Sequence, residues 1–478
     1  MRAYEQLLIG GAWADPSTTG AIDVVEAHTE QVIARFPAAS DVDVDRAVTA
    51  ARRAFDETDW STQPLEERIA AVERIIAAFA ARSDDLAQAI TSEVGCTSGF
   101  ARVGQVGAPL DIMQSFVDLA RTFPWEEQRP GRYLPFILRR EPVGVVAAIV
   151  PWNVPQVLIA TKLVPALLAG CTVVVKAAPE AGLDAAILAE VLVAADLPPG
   201  VVSVLTGGPA AGAALVAHPG IDKVAFTGSA ATGRAIAAEC GRQLKRVGLE
   251  LGGKSATIVL DDADLDAFRA GLRYTSFMNN GQACAAQTRV LAPASQYGEI
   301  VDAVAGVAAG LKVGDPFTKG TAIGPMVSAR QRDRVRGYID LGVQEGARLV
   351  TGGSSAPDDQ PVGWFVRPTV FADVTNDMRI AREEIFGPVL VVIPYDDQDD
   401  AIRIANDSEY GLAGSVWTTS PDRALAVARR VRTGAFGING YAPDTEMPFG
   451  GYKASGIGRE WGEAGLDEYV ELKGINGI

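Results

Sequence analysis

Apolar residues recur at helical spacing over residues 42–56, where Val44, Ala47, Val48, Ala51 and Phe55 share one stripe. The same periodicity holds over 64–90, where Pro64 precedes LEERIAAVERIIAAFAAR and suits a first helical turn. Residues 102–122 predict another helix. The texture then changes. RYLPFILRRE (132–141) alternates bulky and polar residues, as a strand or arm does, and an exposed LPFIL strand needs a partner edge. VGVVAAIVP (143–151) is a short apolar run closed by Pro151, the pattern of a buried strand. Helices and buried strands then alternate: TKLVPALLAG, CTVVVKAAP, LDAAILAEVLVAADLP, VVSVLTGG, DKVAFTGS and TGRAIAAECGR. A second series starts near 255 with SATIVL, a helix near 264–278, TRVLAP, a helix near 296–310 and a last helix near 421–431. Such alternation predicts an α/β fold of two parallel-sheet domains with helices on both faces. TGGSSAPDDQPVG (351–363) reads as a polar loop or hairpin tip.

The chain of 478 residues exceeds what one core serves, so two or three domains are expected. Its 48% hydrophobic and 21% charged residues suit a globular enzyme. A net charge of −16 argues against nucleic-acid and anionic-membrane partners. No apolar run reaches the roughly 20 residues that span a bilayer. MRAYEQLLIGG lacks the basic start and apolar run of a leader, so a cytoplasmic protein is expected. Cys96, Cys171, Cys240 and Cys284 form no CxxC and no disulfide framework, and no metal site is expected. His28 and His218 are the only histidines, and both lie in loop-like settings. A histidine triad or a histidine-rich metal site has little to draw on. A general base is therefore expected to be a carboxylate.

Three segments carry candidate chemistry. GLELGGKS (248–255) satisfies the spacing of a nucleotide-triphosphate loop, but that loop needs a helix after it and β-rich SATIVL follows. FTGSAATG (226–233) closes a strand and opens a helix, where backbone N–H groups bind anions; it is also a common turn in any α/β protein. NNGQACAAQTR (279–289) sets Cys284 among small residues, either as an open nucleophile or as a packed thiol.

VGLELGGKS followed by NNGQACAAQTR resembles the paired active-site signatures of the aldehyde dehydrogenase superfamily. Further matches come in the expected order: LLIGGAW, IVPWNVP, VVVKAAPE, FTGSAATG, EEIFGPVL and PFGGYKASGIGRE. The resemblance covers nearly the whole chain. It implies two Rossmann-like domains, dinucleotide-binding (1–118 and 143–252) and catalytic (253–452). Elements at 119–142 and 453–478 would bridge subunits of a homodimer or homotetramer as a small β arm.

The resemblance also assigns roles. Cys284 would attack the aldehyde, Asn153 would stabilise the oxyanion, and Glu250 would activate the water that hydrolyses the thioester. Lys162 is similar to a lysine near the active site. For NAD, Lys176 would hold the adenosine ribose, Gly228 and Ser229 the pyrophosphate, and Glu384 and Phe386 the nicotinamide end. Trp152, Leu251 and Gly252 would line the same cleft. The family's K-P-x-E has an acid three residues after the lysine; here Pro179 stands there and Glu180 follows, which leaves NADP open beside NAD. Val154 and Thr161 stand where many relatives carry aromatic residues, and Phe449 resembles an aromatic beside the substrate passage. Together they imply a wider apolar tunnel for a branched, long or aromatic aldehyde. A CoA-acylating relative and a catalytically silent member of the fold are the alternatives; Glu250 argues against the first, and the retained Cys284, Glu250 and Asn153 against the second.

Overall fold

In the computed structural model, which describes residues 2–476, the strand Val145–Ile149 sends alternate side chains into two different cores. Val146 and Ala148 pack with helices Leu65–Ala81, Ser83–Val94, Ala108–Thr122, Pro155–Ala169 and Gly182–Ala194. Val145, Ala147 and Ile149 pack with helices Asp41–Glu57, Pro209–Ala217 and Ala230–Gln243. A strand buried on both faces needs no polar side, which is why VGVVAAIVP is apolar throughout.

The first sheet has the order Gly456–Ile457, Arg246–Glu250, Lys223–Thr227, Val145–Ile149, Thr172–Ala177, Val202–Thr206, Leu7–Ile9, Ala12–Ala14. Its five middle strands are parallel. The remaining strands pair antiparallel at its edges. LLIGGAW is thus an edge hairpin turning on Gly10 and Gly11, both at positive φ. From Val145–Ile149 the chain winds outward through Thr172–Ala177 and Val202–Thr206, then returns to the other side at Lys223–Thr227. The order reverses between Val145–Ile149 and Lys223–Thr227, and ligands of open α/β sheets bind at such a point.

The second sheet has the order Arg348–Thr351, Thr369–Ala372, Val389–Tyr395, Gln287–Pro293, Ser255–Val259, Gly414–Trp417, Gly437–Ile438, parallel apart from the first pair. It too is covered on both faces: Val389, Val391 and Ile393 enter one core, Leu390 and Val392 the other. A third sheet joins Glu126–Arg129, Phe136–Pro142 and Val470–Asn476. Of the domain ranges anticipated above, Met1 and residues 477–478 lie outside the described residues.

Some expectations need correction. The 64–90 helix is two helices, broken at Arg82, where Ser83, Asp84 and Asp85 start the second. The 102–122 helix begins as the wider π-turn Ala101–Gly107 before becoming α-helical. The LPFIL strand has no free edge, because Phe136–Pro142 is the middle strand, paired on both sides within the chain.

Candidate active site

The loops after Val145–Ile149 and Lys223–Thr227 face each other across the switch point and wall a cleft of about 720 Å³. Trp152, Asn153, Gly228, Ser229, Leu251, Gly252, Cys284, Glu384 and Phe386 all line it. Ser229 caps helix Ala230–Gln243, its Oγ accepting the Thr232 N–H at 3.2 Å. A helix start of this kind attracts anions. A Cβ at Gly228 would lie 2.4 Å from the Phe226 ring, and one at Gly252 would lie 2.4 Å from Glu384 Oε2. The Glu384 carboxylate accepts the Gly253 N–H at 3.0 Å, and burial pushes it up to about 7. Trp152 and Phe386 meet edge to face at 5.5 Å. Lys176, Pro179 and Glu180 do not line the cleft. Lys176 lies near the end of its strand, where burial pulls its ammonium down to about 8 against the opposing pull of Glu180. Glu180, in the turn Pro179–Ala181, pairs with the cleft residue Arg330 at 3.1 Å. Glycine cradles, a helix start, a buried lysine and a buried carboxylate fit an extended dinucleotide.

Cys284 is held by an unusual backbone. Asn279, Asn280 and Gly281 are all left-handed, with φ of 53°, 60° and 74°. Asparagine and glycine tolerate that region best. The Asn280 amide donates to Gly95 O (2.9 Å) and Pro325 O (3.0 Å) and accepts from Gly324 N–H. The Asn279 amide donates to Asn153 O at 2.9 Å and Gln282 O at 3.0 Å. Asn153 in turn donates its own Nδ2 to Gln282 O at 3.1 Å, leaving the second amide hydrogen to offer. Gln105, on the π-turn, donates to Asn153 O at 2.8 Å. The cysteine is partly exposed. Burial, then the charges of Glu384 and Glu250, push its thiol up to about 12.

Glu250 ends the strand Arg246–Glu250 and is buried, with neither carboxylate oxygen hydrogen-bonded. Burial, then Glu460, hold it well above the usual carboxylate range, while Lys162 and Arg459 act against the shift. Lys162 donates to Thr227 Oγ1 at 2.6 Å and to Glu460. Thr161 donates to the other oxygen of Glu460 at 3.0 Å. The Thr161 hydroxyl is thus committed to a carboxylate, and Thr161 is not among the residues that wall the cleft. Val154 is half-buried against the same core as Cys284, and Phe449 stacks on Trp461 with centroids 5.2 Å apart.

A family model described as the aldehyde dehydrogenase family matches residues 13–475. The chain belongs to this family. It is 47% identical over 473 residues to geranial dehydrogenase of Castellaniella defragrans, covering 99% of this chain and 98% of that one. It is 43% identical over 480 residues to 3-succinoylsemialdehyde-pyridine dehydrogenase of a Pseudomonas species, covering 100% and 99%. Among solved structures it is similar to the Mycobacterium tuberculosis aldehyde dehydrogenase complexed with NAD+, with a TM-score of 0.98, 47% identity and coverage of 100% and 99%. A mutant aldehyde dehydrogenase C of Pseudomonas syringae, complexed with NAD+ and octanal, gives a TM-score of 0.95 at 41% identity, covering 98% and 96%.

For this aldehyde dehydrogenase, several residues of the site escaped sequence reading. Glu460 lies 298 positions from Lys162, so its pairing has no local signal; only its place in PFGGYKASGIGRE hinted at a role. Tyr441 feels the charges of Cys284 and Glu250, and its hydroxyl is buried without a partner, as is Trp461 Nε1. Arg330, Arg334, Gln331 and Tyr338 reach the cleft from helix Ala329–Gln344. His28 and His218 lie in loops, and neither lines the cleft. In the phosphate-loop look-alike, Ser255–Val259 follows as a strand, and no helix opens there.

Proposed function

We propose that the protein oxidises an aldehyde to its carboxylic acid with NAD+, through a thioester on Cys284. The carrying observation is the meeting of the Cys284 thiol and the Asn153 amide in one switch-point cleft, with the Glu250 carboxylate close enough to shift the thiol. A thiol near 12 needs a base, and Glu250, raised itself and unpartnered, is the acceptor at hand. Attack on the carbonyl creates an oxyanion, which the free Asn153 N–H and the Cys284 backbone N–H stabilise. NAD+ bound in the cleft supplies the acceptor for the aldehyde hydrogen as hydride. Lys176 and Glu180 serve its adenosine ribose, Gly228 and Ser229 its pyrophosphate. Trp152, Leu251, Gly252, Glu384 and Phe386 hold its nicotinamide half. Once Glu250 has passed the thiol proton on towards Glu460, it takes a second proton from water, whose oxygen adds to the thioester carbonyl and expels the cysteine thiolate, releasing the acid. Lys162 and Glu460 set the charge around that carboxylate and give its proton a next acceptor.

The substrate side is apolar and aromatic: Val154, Phe449, Trp461 and Tyr441 share a core with Cys284. This favours aldehydes with long, branched or aromatic bodies. The relatives named for geranial and for a pyridine-bearing semialdehyde agree with it. Comparing kcat/KM for acetaldehyde, geranial and an aromatic aldehyde tests this; a clear preference for acetaldehyde refutes it. Assay of the product settles the reaction: free acid and NADH in equal amounts are expected, and acyl-CoA formation or no NADH would overturn the reading. The third sheet, with Leu472 exposed on it and Leu134 exposed in the loop joining two of its strands, is the proposed contact of a dimer or dimer of dimers. No helix among the described residues is long and apolar enough to cross a membrane, and a cytoplasmic setting is proposed.

A further inference from the structure

The Glu180–Arg330 pair joins the two halves of the molecule at the cleft. Glu180 follows a strand of the first sheet, and Arg330 is the second residue of helix Ala329–Gln344, which packs on the second. Three arginines line the cleft. Arg334 is committed to the Glu384 carbonyl at 2.6 Å, and Arg234 approaches Glu409 at 3.5 Å. Arg330 is 84% exposed at its side chain and spends one N–H on Glu180. A guanidinium has five N–H donors, so most of its fork is free, and that fork matches the geometry of a phosphate. Lys176, four residues before Glu180, adds a buried cation to the same corner.

An acid at the adenosine ribose ordinarily excludes a 2′-phosphate by repulsion. Here that acid is partly neutralised by a cation that itself faces the cleft. We propose that Arg330 forms a phosphate subsite for the 2′-phosphate of NADP+, with Glu180 the receptor for the free 2′-hydroxyl of NAD+. The pair then lets one cleft take either dinucleotide. This rests on the dinucleotide reading of the cleft given above. It asks nothing of the catalytic residues.

The test is equilibrium binding, without aldehyde, of NAD+ and NADP+ to the full chain, followed by calorimetry and by quenching of Trp152 fluorescence. Wild type is expected to bind both. Arg330→Ala is expected to lower the ratio of NADP+ to NAD+ affinity by about fivefold or more, the size of one lost charge-assisted contact. Glu180→Gln is expected to raise that ratio. A ratio that is unchanged or rises in Arg330→Ala, or a wild type that binds NAD+ and not NADP+, overturns the proposal while sparing the cofactor reading. A wild type that binds neither sinks both. Thermal unfolding without ligand identifies a variant that has merely misfolded, and Arg330→Gln, which keeps a planar polar group and removes the charge, then serves in its place with the same expected fall.

Discussion

A thiol held near 12 is almost wholly protonated at neutral pH, so the chemistry of Cys284 depends on the carboxylate beside it. Glu250 works deprotonated, and its raised pKa means that this form is gained as pH rises. Activity is therefore expected to climb with pH through a midpoint above the usual carboxylate range, and Glu250→Gln to lose steady-state turnover by about 10²–10⁴-fold. The neighbours shift that midpoint in opposite senses. Glu460 raises the Glu250 pKa and Lys162 lowers it. Glu460→Gln should move the rising limb of kcat/KM to lower pH, and Lys162→Met to higher pH. Full pH profiles of both variants check this, and equal or absent shifts would contradict it. Asn153→Ala removes the proposed oxyanion donor and should cut kcat about 10²–10³-fold.

At the scale of elements, the turn Asn279–Gly281 aims the nucleophile. Gly281 has a φ of 74°, and a Cβ there would lie 2.4 Å from the Gly387 carbonyl carbon. Gly281→Ala is expected to cost about 1–3 kcal/mol in thermal unfolding and to cut activity further by displacing Cys284. Four strands of the first sheet, Val145–Ile149, Thr172–Ala177, Val202–Thr206 and Lys223–Thr227, were legible because each is buried along its whole length. The paired signatures around Glu250 and Cys284 were legible because the chemistry demands particular residues in particular turns. What escaped was set by contacts far apart in sequence. The hydrogen bond from Thr161 to Glu460 has no sequence signal, since its partner lies 299 residues on. The LPFIL strand looked like a free edge, since its partner Val470–Asn476 is equally remote. The π-turn Ala101–Gly107 carries no periodicity that separates it from an α-helix, yet it delivers Gln105 to Asn153.

For the whole molecule, the proposed assembly runs through the third sheet, whose outer strands Glu126–Arg129 and Val470–Asn476 keep unpaired edges among the described residues. Leu472 is 63% exposed on one of them. Light scattering is expected to show a dimer or tetramer, and Leu472→Asp to weaken it; a monomeric wild type would contradict that assignment. The two sheet domains meet at the switch-point cleft, and the account stands or falls on what happens to one sulfur there. The most direct test is acid-quenched mass spectrometry of Glu250→Gln held with aldehyde and NAD+ at raised pH, where thiolate forms without the missing base and only the later hydrolysis lacks its catalyst. The account predicts one acyl group per chain on the Cys284 peptide, with one NADH released for each. An unmodified Cys284, an acyl group on another residue, or continued turnover in Cys284→Ser would contradict it.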